Sequence, residues 1–368
     1  LQKRPAQPDL ILFTVVVVLV SMGLVMVFSA SSVMGLAADR DPYHFFRLQS
    51  IWAGLGLISL FVLMKVDYQV FKKLALPGVI ASFILLILVL WIGRDIGGAR
   101  RWISLGFFNL QPSEVAKLAM VNFTAVYISH KGRKIRRLFS GLVPLLTIAL
   151  GKFALILLAP DFGTAAALLF TTVLLLFAGG AYLGHLMAAA VAAAVGFRQL
   201  IVGQEYRLRR ILTFRDPWQD PADAGWNLIQ SLLAVGSGGL FGLGLGASRQ
   251  KFSYLPEHHT DFIFAILAEE LGFIGAASVV ALFAVLVWRG YKIALDAQDT
   301  YGMLLGVGLT TLLAFQALLN MGVATGSLPI TGIPLPFISY GGSSLLTAMA
   351  SAGILLNISR QPRVRKPR

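Results

Sequence analysis

Residues 10–33 read LILFTVVVVLVSMGLVMVFSASSV, a run without a single charged side chain. At about 1.5 Å per residue, such a run crosses a hydrocarbon core of about 30 Å as one helix. It has no clear small-residue cleavage site, so it is expected to stay in the protein as a membrane helix, with no separate signal peptide. Working outward, the same length and polarity test finds further spans near 48–65, 75–93, 113–130, 139–159, 162–180, 182–200, 262–288, 302–323 and 342–359. The expected fold is therefore an all-α polytopic integral membrane protein with about ten transmembrane helices. Composition agrees: 57% of the residues are hydrophobic and 13% charged, with mean hydropathy +0.77. A soluble domain carries about 25% charged residues. The chain has no cysteine, which excludes disulfide and thiolate chemistry and leaves the compartment open.

Lysine and arginine set the orientation. One set of short connections holds Lys65, Lys72 and Lys73, then Lys131, Arg133, Lys134, Arg136 and Arg137, then Arg289 and Lys292. The ends add Lys3 and Arg4, and Arg360, Arg363, Arg365, Lys366 and Arg368. The opposite set is thinner: Arg40 and Arg47, then Arg94, Arg100 and Arg101. The positive-inside rule then places both termini in the cytoplasm, with one large extracytoplasmic loop, about 200–261, between the seventh and eighth helices. The formal charge of +14 reads as a topology and anionic-lipid signal and not as a nucleic-acid surface. Residues 1–368 form one transmembrane domain on this reading. Within the loop, the apolar positions from Trp226 to Leu233 fall at helical spacing, so this segment is expected to lie amphipathically in the membrane interface.

The polar motifs are few. The glycine run of residues 236–246 follows no strand, which argues against a nucleotide loop. Its glycines instead allow close backbone approach, with a backbone-amide nest for a lipid pyrophosphate left open. His44, His130, His185, His258 and His259 include no pair at the i, i+4 spacing of a zinc site. Asp261 follows Thr260, a natural N-cap, and is expected in the first turn of the eighth helix. There an ionised carboxylate serves either as capping chemistry or as a base for a substrate hydroxyl. Glu269 and Glu270 should lie about 12–13 Å further along that helix. Glu114 and Lys117, at i, i+3, are placed to pair. With Lys152 and Asp161 they form an internal charged set that either fixes helix packing or lines a pathway.

Taken together, several blocks resemble the SEDS (shape, elongation, division, sporulation) family. They are Gly98-Ala99-Arg100-Arg101-Trp102-Ile103, Gln111-Pro112-Ser113-Glu114 with Lys117, and Pro160-Asp161-Phe162-Gly163-Thr164. The glycine run, Tyr254-Leu255-Pro256-Glu257 leading into His259-Thr260-Asp261-Phe262, Glu269-Glu270-Leu271-Gly272 and the block from Gly332 to Ser344 complete the series. Arg249-Gln250-Lys251-Phe252 looks more like the FtsW and SpoVE branch than the RodA branch, while Ala159 and Trp226 stand where the family more usually has other residues.

The resemblance implies a peptidoglycan glycosyltransferase that polymerises lipid II at the outer face of the bacterial cytoplasmic membrane. It implies Asp261 as the catalytic residue and Arg210, Arg101, Lys117, Glu114, Asp161 and Ser343 as substrate-binding residues. A class B penicillin-binding protein and other divisome or elongasome membrane proteins are the implied partners. A divalent cation, Mg or Mn, is expected at the lipid pyrophosphate, with no organic cofactor and no protein-built metal site. One carboxylate suffices for such a transfer, since pyrophosphate leaves without a general acid, and direct attack inverts the anomeric centre. Two rival readings are a lipid II flippase, which intramembrane acids and broken helices also suit, and a non-catalytic scaffold of the division or elongation machinery.

Overall fold

The computed structural model describes residues 7–37, 41–96, 99–106, 108–202, 214–223, 225–252 and 255–361. A helix occupies each of the ten apolar stretches. Before the connection these are α1 (Leu10–Ala37), α2 (His44–Lys65), α3 (Ala75–Ile92), α4 (Pro112–Lys131), α5 (Val143–Leu158), α6 (Phe162–Ala178) and α7 (Leu183–Val202). After it come α9 (Ile263–Leu295), α10 (Thr300–Ala324) and α11 (Gly342–Ser359), and α8 (Trp226–Ser237) lies within the connection. Among the described residues, seven helices are long and apolar enough to cross a membrane: α1, α2, α3, α5 with its π-helical lead-in, α9, α10 and α11. One departure from an all-helical chain lies between α3 and α4. There β1 (Arg94–Ile96), β2 (Ala99–Ser104) and β3 (Asn109–Leu110) pair antiparallel in that order.

Apolar side chains fill the core and also cover the outside of the bundle. On α2, Ile51, Leu55, Ile58 and Val62 are exposed at helical spacing, while Gln49, Ala53, Gly56 and Leu60 face inward. Lipid is as apolar as leucine, so helix contacts rest on small residues that let backbones approach. A methyl on Gly56 would meet the Met349 side chain at 2.9 Å, and one on Gly353 would meet Leu60 O at 2.8 Å. This close crossing of α2 and α11 matters for the site, because α11 carries the segment before it, residues 325–341, into the bundle.

α9 is two helices in line. Gly272 has φ 67° and ψ −169°, a conformation closed to residues with a Cβ, and it interrupts the helix after nine residues. The glycine run fills the break. Leu243 N and Gly244 N donate to Glu269 O and Glu270 O, each at 3.0 Å, and Phe273 N and Ile274 N donate to Gly239 O and Leu240 O at 2.9 and 3.2 Å. Broken helices survive at membrane depth only where such partners satisfy the freed backbone groups. The run thus joins backbone to backbone, the close-approach reading of its glycines. Its apolar side chains point away from the protein: Phe241 is 80% exposed, Leu240 63% and Leu245 60%.

The carboxylates at the break are tied down. Ser248 Oγ donates to Glu269 Oε2 at 2.5 Å and Arg249 N to Glu269 Oε1 at 3.0 Å. Ser29 Oγ on α1 lies 2.7 and 2.6 Å from the two oxygens of Glu270, and Lys251 Nζ lies 3.5 Å from Glu270 Oε1. Glu269, Glu270, Lys251, Ser248 and Ser29 are all buried. α8 is tied to the end of α10, Ser231 Oγ donating to Ala324 O at 2.8 Å. Its Leu228 and Ile229 are buried and its Leu233 exposed. The first half of α9, Ile263 to Leu271, is therefore held at its inner end by the glycine run and by α1.

Candidate functional site

Asp261 stands two residues before α9, in a tight turn. Thr260 N, Asp261 N and Phe262 N all point to Glu257 O, at 3.1, 3.0 and 3.3 Å, and Glu257 takes φ 52° to receive them. The helix starts at Ile263 with Phe262 as N-cap and no side-chain cap. Thr260 is not the cap expected from its sequence position: its hydroxyl donates to Glu257 O and Glu257 Oε2, at 3.1 and 2.8 Å. A side-chain cap does form at the start of α6, where Asp161 Oδ1 accepts from Thr164 N at 3.1 Å.

The main chain around Asp261 is gripped at three consecutive carbonyls. His259 O accepts from Tyr340 N at 3.0 Å, Thr260 O from Ser339 Oγ at 2.6 Å, and Asp261 O from Asn320 Nδ2 at 2.8 Å. The gripping segment is itself held. Gln49, buried on α2, donates to Ser339 O at 3.1 Å and accepts from Gly341 N at 3.2 Å. Gly23 on α1 closes it from behind, since a methyl there would stand 2.4 Å from Phe337 O. Asp261 Oδ2 lies against Gly332, 3.4 Å from where a β-carbon would be. The next residue of that extended segment, Ile333, packs on Gly163 at the head of α6, where a methyl would meet Ile333 Cγ1 at 2.6 Å and Thr331 O at 2.9 Å. One strip of chain, 331–333, thus touches both the Asp261 carboxylate and the turn that carries Asp161.

The other sequence-predicted residues gather on the Asp161 side of that strip. Arg101 Nε donates to Ala159 O at 3.1 Å, and its Nη2 to Pro160 O, bracing the turn before Asp161. Gln111 Nε2 and Ser113 Oγ approach Asp161 Oδ2 at 3.4 and 3.5 Å. Ser343 Oγ donates to Asn109 O at 3.0 Å and accepts from Gln111 N at 3.1 Å. One turn on, Thr347 Oγ1 donates to Glu114 Oε2 at 2.8 Å, and Lys117 Nζ to Glu114 Oε1 at 2.8 Å. Glu114 and Lys117 are each 1% exposed, so they form the buried pair that their spacing allowed. Lys152 does not join them: its ammonium donates to Ser82 Oγ at 2.7 Å and Ala116 O at 3.4 Å, between α3 and α4. Arg210 lies outside the described residues.

Removing one member of a buried pair leaves the other desolvated and uncompensated, at about 3–5 kcal/mol. Lys117→Ala should therefore lower the thermal midpoint as well as activity. The double change Glu114→Gln with Lys117→Met should recover most of the midpoint, measured on detergent-purified protein. Lost activity with an unchanged midpoint in Lys117→Ala would show that the ammonium serves substrate and not packing.

His259 packs beside the rings of Phe45 and Tyr340, with centroids 5.2 and 5.6 Å away. Burial, reinforced by the neighbouring His258, pushes its imidazole down to about 4, against a weaker upward pull from Glu257. Burial also lowers His258. An imidazole depressed in the fold favours the folded state fully above its unfolded value of about 6.5 and loses that contribution as pH falls toward 4. The thermal midpoint of the wild type should fall across that window. His259→Gln should fall less steeply, and an identical slope would remove His259 from the account.

The residues missed by sequence reasoning are Asn320, Gln49 and Thr347, lone polar side chains within apolar spans. Their signal was that polarity, since a polar group inside a membrane helix needs a partner. Among the described residues no three His, Asp or Glu converge.

A family model described as cell cycle protein, and named for FtsW, RodA and SpoVE, matches residues 9–364. Stage V sporulation protein E of Bacillus subtilis is 45% identical over 362 residues, covering 98% of this chain and 99% of that one. The probable peptidoglycan glycosyltransferase FtsW of a Geobacter species is 45% identical, covering 96% and 97%. Among solved structures, one is a chain from work on the structural coordination of polymerization and crosslinking by a peptidoglycan synthase complex. It aligns with TM-score 0.80 at 33% identity over 96% of this chain and 98% of its own. The rod shape determining protein RodA of Thermus thermophilus aligns with TM-score 0.71 at 33% identity, over 96% and 97%.

Proposed function

The chain belongs to the FtsW, RodA and SpoVE family of multi-pass membrane proteins, and from that premise we propose that it is a peptidoglycan glycosyltransferase polymerising lipid II. The observation that carries the reading is the three-point grip on residues 259–261, which holds one carboxylate still at the mouth of a membrane helix. A hydroxyl of one lipid-linked sugar attacks the anomeric carbon of another. The new C–O bond forms as the bond to the lipid pyrophosphate breaks, and Asp261 takes the hydroxyl proton. The anomeric configuration inverts. Negative charge grows on the departing pyrophosphate and is met by cations, of which Arg101 at the Asp161 turn and Arg210 in the connection are the candidates. A divalent cation would arrive with the pyrophosphate and add the same neutralisation. The lysine and arginine distribution supports the reading that this end of the bundle faces outward from the bacterial cytoplasmic membrane. A class B penicillin-binding protein is the partner this product calls for, since free glycan strands need cross-linking.

The break in α9 at Gly272 favours one second reading, a lipid II transporter, because discontinuous helices also build translocation sites. Purified protein in vesicles with fluorescent lipid II, alone and with a class B penicillin-binding protein, separates the two. Glycan ladders on a gel mark the polymerase. Lipid that crosses the bilayer without lengthening marks the transporter.

A further inference from the structure

Asn320 is 1% exposed on α10, and the Nδ2 of its carboxamide donates to two main-chain oxygens at once, Asp261 O and Ile333 O, each at 2.8 Å. Both partners are acceptors, so the amide nitrogen faces them; the flipped amide would set oxygen against two oxygens. The side-chain oxygen Oδ1 is then left buried with no hydrogen-bond partner. A buried acceptor left unmatched is unfavourable and calls for an explanation. The explanation lies in what the two donated bonds join. Ile333 belongs to the strip that touches the Asp261 carboxylate through Gly332 and the Asp161 turn through Gly163. Asn320 alone among the described side chains bonds both Asp261's own carbonyl and that strip. Tyr340 and Ser339 hold residues 259 and 260 from a different stretch, the one clamped by Gln49.

We propose that Asn320 is a positioning residue for glycosyl transfer, fixing the Asp261 carboxylate against residues 331–333 and so against the substrate groups bound on the Asp161 side. The inference rests on the reading of Asp261 as the base. Asn320 touches no reacting atom; it acts through the main chain. Misplacing a catalytic group by about 1 Å costs on the order of a hundredfold in rate.

The test is steady-state polymerisation of lipid II by the full chain in complex with a class B penicillin-binding protein, for Asn320→Asp, Asn320→Gln and Asp261→Asn. Asn320→Asp keeps the shape and replaces the donor with an acceptor. Its kcat should fall about tenfold to a hundredfold with KM for lipid II nearly unchanged, at a matched folded fraction. Asn320→Gln, which keeps the donor, should recover part of that loss. Unchanged kcat in Asn320→Asp, a change confined to KM, or a loss that tracks the folded fraction alone would each overturn the proposal. Should Asn320→Asp not fold, Asn320→Ala removes the same two bonds without a charge and is read the same way. If Asp261→Asn polymerises at the wild-type rate, the base reading itself fails; if Asp261→Asn is dead while Asn320→Asp keeps its kcat, positioning alone fails.

Discussion

Gly272→Ala should leave little folded protein. A β-carbon at that position would stand 2.3 Å from Gly242 N and 2.6 Å from Leu240 O, both backbone atoms that cannot swing aside. The φ of 67° with ψ −169° is itself closed to alanine, at about 1–3 kcal/mol of strain. Overpacking adds about 1–3 kcal/mol. Relief would require the glycine run to withdraw, and its withdrawal breaks four backbone hydrogen bonds at a depth where water does not replace them. Gly236→Ala is the matched control, since nothing lies within 4 Å of a methyl there. That variant should express and melt like the wild type. Size-exclusion profiles and thermal midpoints of the two proteins, purified side by side, decide the matter. A monodisperse Gly272→Ala protein with an unshifted midpoint would mean that the two halves of α9 are not locked by the run.

Asp261→Asn has the second large effect, on rate and not on folding. The carboxamide is nearly isosteric, and the change leaves in place the main-chain hydrogen bonds that grip residues 257–261. A general base contributes about 10²–10⁴-fold. The variant should therefore melt within a degree or two of the wild type and polymerise at least about a hundredfold more slowly. The pairing of a lost rate with a kept fold separates a base from a structural acid. Glu114→Gln supplies the contrast, because it removes a buried charge from beside Lys117 and should disturb both readouts.

The helices were legible because hydrophobic length is a strong signal, and the polar blocks were legible because charges inside a membrane protein are rare enough to be noticed singly. Glu114 and Lys117 illustrate this: their spacing alone put them on one helical face, and they do pair. Less was legible where one segment's conformation depends on another distant in sequence. Gly272 fell inside the expected span 262–288, and the run that breaks α9 there lies about thirty residues upstream, in what was expected to be loop. Asp161 and Asp261 are a similar case. Both precede a helix, and local pattern does not tell which carboxylate turns back to cap and which faces Gly332 on a segment some seventy residues further along. The small sheet between α3 and α4 escaped notice because β1 and β3 are only three and two residues long. Asn320 was hidden by its own span, where a lone amide carries no mark of the two carbonyls it will find.

The central claim is that Asp261 is the base for polymerisation. Its most direct test is glycan formation from purified lipid II by the wild type and Asp261→Asn, each in complex with a class B penicillin-binding protein whose transpeptidase is blocked by a β-lactam. Blocking cross-linking leaves linear strands whose length a gel resolves. A ladder from the wild type and none from an equally folded Asp261→Asn protein is the expected result. A ladder of equal length and rate from Asp261→Asn would contradict the account.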